Sequence, residues 1–313
     1  MSGYSVGLKD VIEHMELTNC TPQVDLSQRR ITHTDVNRPA LQLTGFYEYF
    51  DNERIQVIGH VENMYMHQMS EDEGAEMIRQ LLEHNVSCLV YCRGIEVPER
   101  VIELGNAYNT PILSTTRSTS SFISEVTRWL HVQLAPRISI HGVLVNVYGE
   151  GVLITGESGI GKSEAALELI KRGHRLVSDD IVELRRVSAV TVIGMAPDVT
   201  RHLIELRGIG IVDVKSLYGV ASVMNSQALD LVINLSEYDR DVEYDRLGLE
   251  ERYTEYLGIK VPCHNIPLRP GRNLAIIVES AAINHRQKKL GYNAAEELYR
   301  RVTNNLHSPD LGS

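Results

Sequence analysis

The chain predicts an α/β protein of two domains, on three observations. Short apolar strands alternate with amphipathic helices through the first 130 or so residues, the rhythm of a parallel or mixed sheet. At Pro136 a long helix stops and the character changes to many short strands with a few helices. A strand, a glycine-rich loop and a helix then follow one another at residues 152–172. The 313 residues are the length of one large or two ordinary domains, and the reading divides them at 1–131 and 132–313.

In the first domain, Leu8, Val11, Ile12 and Met15 make one face of a helix within 7–17. Residues 46–59 read as two strands, FYEYF and RIQVIG, broken at Asp51-Asn52. Met77, Ile78, Leu81 and Leu82 form the stripe of a helix over 71–85. SCLVYC (87–92) is a buried strand, Pro98 starts a helix to Ala107, and PILST (111–115) is a further strand. A helix over 120–134 turns Phe122, Ile123, Val126, Leu130 and Leu134 inward. In the second domain, residues 137–156 read as two or three strands with a turn at 148–151. The last helix, 293–306, carries Leu298, Val302 and Leu306 as its stripe. Neither an internal repeat nor a low-complexity segment is present.

Composition excludes several classes. Apolar residues at 43% are enough for a large core. A net charge of -10 argues against general binding to nucleic acid or anionic membrane. No apolar run approaches the ~20 residues of a membrane span, and residues 1–17 show no basic segment followed by an apolar one, so no signal peptide is expected. The four cysteines make no disulfide framework; Cys88 and Cys92 read as reduced thiols in a core. The expectation is a cytoplasmic protein.

Gly156-Glu157-Ser158-Gly159-Ile160-Gly161-Lys162-Ser163 fits the phosphate-loop pattern G-x-x-x-x-G-K-[ST]. Residues 152–155 make the strand before it, and 163–172, ended by Gly173, the helix after it. Glycines let successive backbone N–H groups turn toward one anion, and the helix start adds its positive end. Lys162 is placed to neutralise outer phosphates and the Ser163 hydroxyl to ligate Mg²⁺. A nucleoside triphosphate or another oligophosphate is the expected ligand.

The reaction is narrowed by Asp179-Asp180. A strand over 174–178 returns the chain toward the phosphates after the loop's helix. Adjacent strand residues face opposite ways, so the two carboxylates divide their work, one toward metal-bound water and one toward the acceptor. A carboxylate within reach of a hydroxyl is the base for phosphoryl transfer to an alcohol; the spacing is equally compatible with an Asp pair capping a turn. By residue type alone His141 is a packed or surface histidine. Arg246 in EYDRLGL and Arg269/Arg272 in IPLRPGRN are candidate phosphate clamps or ordinary surface arginines. Neither a guanine-reading N/T-K-x-D nor an LSGGQ segment occurs.

Taken together, GESGIGKS (156–163), LVSDD (176–180), ELRGIGIVDV (205–214), EYDRLGL (243–249), IPLRPGRN (266–273) and NHRQKKLG (284–291) resemble the HPr kinase/phosphorylases of bacteria. RRITHTDVNRPALQLTGFYEYF (29–50) extends the resemblance to nearly the whole chain. It implies a P-loop kinase domain related to phosphoenolpyruvate carboxykinase. The implied enzyme phosphorylates a serine of HPr with ATP or pyrophosphate, and removes that phosphate by phosphorolysis to give pyrophosphate, in the control of carbon metabolism. The resemblance also implies Mg²⁺ and a homohexamer. By motif it makes Asp180 the base, and the acid in reverse, with His141 supporting. It makes Glu205 a second Mg²⁺ ligand, gives Arg246 to the transferring phosphoryl, and gives the 267–272 loop mainly to dephosphorylation. Two other readings compete: a P-loop kinase or carboxykinase acting on a small metabolite, and a binding module controlled by nucleotide without catalysis, against which Asp179-Asp180 argues.

Overall fold

The computed structural model describes residues 4–239, 251–269 and 271–306. They form two compact units, Met1–Ala135 and Pro136–Ser313, each a mixed α/β structure.

The first unit runs β1 (Val6–Gly7), α1 (Leu8–Met15), β2 (Thr18–Asn19), β3 (Arg30–Ile31), β4 (Val36–Asn37), β5 (Ile55–Ile58), α2 (His60–His67), α3 (Glu71–Glu83), β6 (Leu89–Tyr91), α4 (Glu99–Ala107), β7 (Ile112–Ser114) and α5 (Thr119–Gln133). Its main sheet has the order β2-β7-β6-β5-β4. β4 to β7 are parallel and β2 is antiparallel at the edge. The strands are apolar throughout because both faces are covered. Val57, Val90 and Leu113 meet α1 and α5 through Val11, Met15, Phe122 and Val126. Their strand neighbours Ile58, Leu89, Tyr91 and Ile112 meet α3 and α4 through Ile78, Leu81 and Val101. Burial lifts the Cys88 thiol to about 12 and the Cys92 thiol to about 11, so neither ionises at neutral pH.

One expected strand is absent. Residues 46–50 form a turn, with Tyr49 left-handed at φ 60° and 95% exposed. Tyr47 stacks on His84 at 3.9 Å between ring centres, and Phe50 meets the same imidazole edge-on. The aromatic residues that favour strands instead cover the C-terminal end of α3.

The second unit runs β8 (Arg137–His141), β9 (Val143–Val147), β10 (Glu150–Gly156), α6 (Lys162–Lys171), β11 (Arg175–Ser178), β12 (Ile181–Arg186), β13 (Val192–Met195), β14 (Leu203–Leu206), β15 (Gly210–Asp213), α7 (Val214–Tyr218), β16 (Ser226–Ala228), β17 (Leu231–Glu237), β18 (Arg252–Tyr256), β19 (Ile259–Leu268), α8 (Leu274–Lys289) and α9 (Ala294–Leu306). The 137–156 stretch is three strands, with Tyr148 and Gly149 both at positive φ in the two-residue hairpin between β9 and β10.

A six-stranded sheet has the order β11-β9-β10-β17-β19-β18, and a four-stranded one the order β16-β13-β12-β8. β10, β17 and β19 are parallel. β9 is antiparallel to both β10 and β11, so β11 ends at the same edge as β10. α6 and α8 cover one face through Ala166, Leu169, Val278 and Ala282. Val182, Leu184 and Val192 of the smaller sheet cover the other, against Leu144, Leu153 and Val232. No helix of the described residues is long and apolar enough to cross a membrane.

Candidate active site

The site lies where β10, β11, β17 and β19 end and β9 begins. β10 runs directly into the glycine loop. Gly156 has φ 143°, and a Cβ there would lie 2.5 Å from the Leu235 carbonyl oxygen of β17. Any side chain would push the loop off its neighbouring strand. Gly161, at φ 97°, caps the start of α6. Lys162 Nζ donates to the carbonyls of Gly156 at 2.9 Å and Glu157 at 2.8 Å, so the loop winds around its own lysine.

Asp179 and Asp180 occupy the turn between β11 and β12 rather than a strand. Their side chains do separate, but turn geometry is the cause, not strand alternation. Asp179 is 3% exposed. It accepts from Ser163 Oγ at 2.8 Å and from the Glu205 backbone N–H at 3.0 Å. Burial raises its carboxyl above the usual range, outweighing those hydrogen bonds. One buried carboxylate thus ties the first turn of α6 to β14.

Asp180 has φ 64°, a left-handed conformation that Asp tolerates better than most residues, and its side chain is 68% exposed. Its carbonyl accepts from the Gly142 N–H at 3.0 Å, and Ile181 pairs in register with His141. That pairing sets the His141 Nδ1 3.7 Å from Asp180 Oδ1. Two strands therefore deliver an accessible carboxylate and an imidazole side by side.

The loop after β19 reaches the same edge. Arg272 Nη1 donates to the Pro267 carbonyl at 3.2 Å, and the Arg269 guanidinium lies 3.7 Å over the Tyr238 ring. Asn273 caps α8 and donates to Glu168 of α6 at 2.7 Å. Glu205 meets the site through its main chain, while its side chain is exposed on β14. Arg246 lies outside the described residues.

Two features carry no obvious mark in the sequence. Arg207, on the β14–β15 hairpin, donates to Ser158 Oγ at 3.2 Å. Its guanidinium lies so close over the loop that a Cβ on Gly159 would come 2.5 Å from Nη1. Its only signal was its place in ELRGIGIVDV. Thr155, Asn234 and Asn265 share one register row across β10, β17 and β19 and are hydrogen-bonded in turn. Polar residues in otherwise apolar strands were their signal.

The donors present suit oligophosphate and Mg²⁺. Ser163 and Asp179 supply hard oxygens at the helix start. Among the described residues no group of three or more His, Cys, Asp or Glu forms a metal cage. Mg²⁺ takes one or two protein oxygens and completes its shell with phosphates and water, so this sparse set fits it.

Two family models cover the chain. One, described as HPr Serine kinase N terminus, matches residues 6–130; the other, HPr Serine kinase C-terminal domain, matches 132–302. The HPr kinase/phosphorylase of Lachnoclostridium phytofermentans is 65% identical over 303 residues, covering 97% of this chain and 98% of that one. That of Caldicellulosiruptor bescii is 51% identical over 292 residues, 93% and 94% of the two chains. The solved HPr(Ser) kinase/phosphatase from Coxiella burnetii is 39% identical and spans 51% of this chain and 98% of its own, with a TM-score of 0.47.

Proposed function

The chain belongs to the HPr kinase/phosphorylase family, and from that premise we propose how its residues act on HPr. The enzyme transfers a phosphoryl group from ATP or pyrophosphate to a serine of HPr. It reverses the modification by phosphorolysis, releasing pyrophosphate. The observation that carries the assignment of roles is the pair at the β11–β12 turn: a buried Asp179 tied to Ser163, and an exposed Asp180 beside His141.

In the kinase direction the Asp180 carboxylate takes the serine proton as the seryl oxygen bonds to phosphorus and the donor's bridging oxygen leaves. In reverse, inorganic phosphate attacks phosphoserine, and protonated Asp180 returns the proton to the departing seryl oxygen. One group acting as base forwards must be the acid backwards. His141 orients and supports Asp180. The loop amides and Lys162 hold the phosphates. Ser163 and Asp179, with Glu205 as a second ligand, would hold Mg²⁺, which would neutralise developing negative charge. Arg246 stabilises the transferring group, and Arg269 and Arg272 serve mainly the phosphorolytic direction. Residues 132–313 make the catalytic domain of a cytoplasmic homohexamer.

The test is to incubate the chain with HPr and ATP, then with inorganic phosphate. Phosphoseryl-HPr should form and then disappear with release of pyrophosphate, and Lys162→Ala should abolish both steps in a chain that melts normally. Transfer to a free metabolite with none to HPr, or nucleotide binding without turnover, overturns the reading.

A further inference from the structure

The first unit holds a second cleft, remote in sequence from the glycine loop. It measures about 480 Å³ and is lined by Arg38, Arg93, His60, Val61, Thr119 and Ser120, with Ile123 and Ser124 from the next turn of α5. Its position follows from the topology. Arg38 comes directly after β4, His60 just after β5, Arg93 just after β6, and Thr119 soon after β7. These are the carboxyl ends of four adjacent parallel strands, the edge at which open α/β sheets take ligands. α3 packs on one face of the sheet, next after α2, and α5 packs on the other.

His60 and Val61 are the first two residues of α2, and Thr119 and Ser120 the first two of α5. The N–H groups of a first turn have no acceptor within their own helix. The caps are occupied one step away. Ser118 Oγ accepts from Ser121 N–H, and Glu62 Oε2 accepts from Gly59 N–H. Two helix starts thus bring N–H donors and positive dipole ends to one cleft.

The charges agree with this. Arg38 is fixed by Glu62, which its Nη2 meets at 2.8 and 2.9 Å through the two carboxylate oxygens. That ion pair engages one guanidinium nitrogen, and Glu62 does not line the cleft. Arg93 stands at φ 67°, an uncommon left-handed position for a long side chain.

An independent observation points to a ligand. Thr119 is 8% exposed and lines the cleft, while its buried Oγ1 has only the Cys92 thiol for a partner. The nearby Cys92 thiol is only a weak donor and acceptor. A hydroxyl so weakly paired is under-satisfied, and rotation of the Thr119 side chain toward the cleft would give it an oxyanion as a better partner.

We propose that this cleft binds the phosphate group of a small molecule, making it a second anion site separate from the glycine loop. Two arginines and two helix starts suit a dianion. The volume exceeds that of a lone phosphate and falls within the ~300–1,000 Å³ of small-molecule sites. Val61 and Ile123 give the rest of the ligand an apolar wall.

The test uses hydrogen exchange of the full chain with inorganic phosphate and, separately, glycerol 3-phosphate. Exchange in peptides spanning 59–63 and 118–122 should slow with either probe, and glycerol 3-phosphate should act at lower concentration if a ligand body is accommodated. Equal potency would restrict the site to phosphate alone and overturn the small-molecule part. Arg93→Gln should raise the concentration for half-protection about tenfold or more, the loss of one charge-assisted contact. Thr119→Val keeps the side-chain volume. It should raise the unit's melting temperature without ligand while weakening protection, a pairing that loss of a merely structural hydroxyl does not produce. If neither probe protects the two helix starts, or if Arg93→Gln leaves protection unchanged, the proposal fails. Behaviour of the 156–163 peptide in the same experiment bears on the glycine loop alone, so the two failures are distinguishable.

Discussion

Both units present the carboxyl ends of parallel strands, but they finish those strands differently. In the second unit β10 ends in glycines, and a flexible backbone wraps a lysine. In the first, arginines follow β4 and β6, and two helix starts offer N–H groups at the proposed cleft site. The proposed catalytic edge also presents an exposed carboxylate, Asp180, beside His141, whereas the nearby acid of the first unit, Glu62, is buried and committed to Arg38. Topology decides where an anion can be held. The residues that follow each strand decide whether it is merely held or also reacts.

The largest effect should come from removing the accessible acid. Asp180→Asn keeps the turn's shape but cannot take a proton, and loss of a general base costs ~10²–10⁴ in rate. HPr phosphorylation and phosphorolysis should fall together, while ATP affinity, measured by calorimetry, changes little. Unchanged turnover would erase the distinction between the two edges and pass the role to another group. Collapse of ATP affinity would move Asp180 into the metal site.

A glycine substitution tests the backbone half of the contrast. Gly156→Ala combines φ 143° with a Cβ 2.5 Å from the Leu235 carbonyl. Gly45→Ala, in the first unit, has φ 88° and nothing within 4 Å. Both carry strain from positive φ, of order ~1 kcal/mol, but only the former must also displace a strand. Thermal melts should show Gly156→Ala costing about 1–3 kcal/mol more, with ATP binding lost. Equal losses would mean that the close approach to β17 is relieved without cost.

The legibility of the two edges differs for the same physical reason. A glycine loop advertises itself, because only glycine tolerates its backbone, so the strand, loop and helix around 156–163 were readable from spacing. The buried strands of the first unit were likewise readable as the short apolar runs SCLVYC and PILST. Residues 46–50 misled because aromatic side chains favour strands on average, whereas Tyr47 and Phe50 found a better partner in His84. Asp179 and Asp180 were located by sequence with a strand end and a turn equally open, and their divergence comes from the turn rather than from strand alternation. Arg207 and Arg38 stood inside the family-like segments with no role attached, and Arg93 carried no mark at all, since an arginine's use depends on what the sheet brings opposite it.

Arg207 gives a smaller, sharper test. Its contacts with Ser158 and Gly159 lie on the loop rather than in the reacting centre. Arg207→Ala should raise the KM for ATP about tenfold, the scale of one charge-assisted hydrogen bond, with kcat nearly kept. Arg207→Lys should recover part of this. A fall in kcat at constant KM would make Arg207 a participant in the transition state instead.

The smallest effect concerns the committed acid of the first unit. Burial by itself would raise the Glu62 carboxyl. The Arg38 hydrogen bond and the N–H groups of Glu62 and Gly59 pull it the other way and win, leaving it below its ordinary 4.5. A depressed carboxyl binds its proton more weakly folded than unfolded. Its stabilisation is therefore complete above the unfolded value and is lost as pH falls through the lower folded value. The chain's one tryptophan, Trp129, lies on α5 stacked on His14 and reports this unit. Urea melts followed by its fluorescence should show Glu62→Gln less stable by about 1 kcal/mol at pH 7. That gap should narrow below about pH 4.5, as the native carboxyl takes up its proton. A gap independent of pH would mean that Glu62 acts through packing, and that Arg38 is positioned at the cleft by something other than the ion pair.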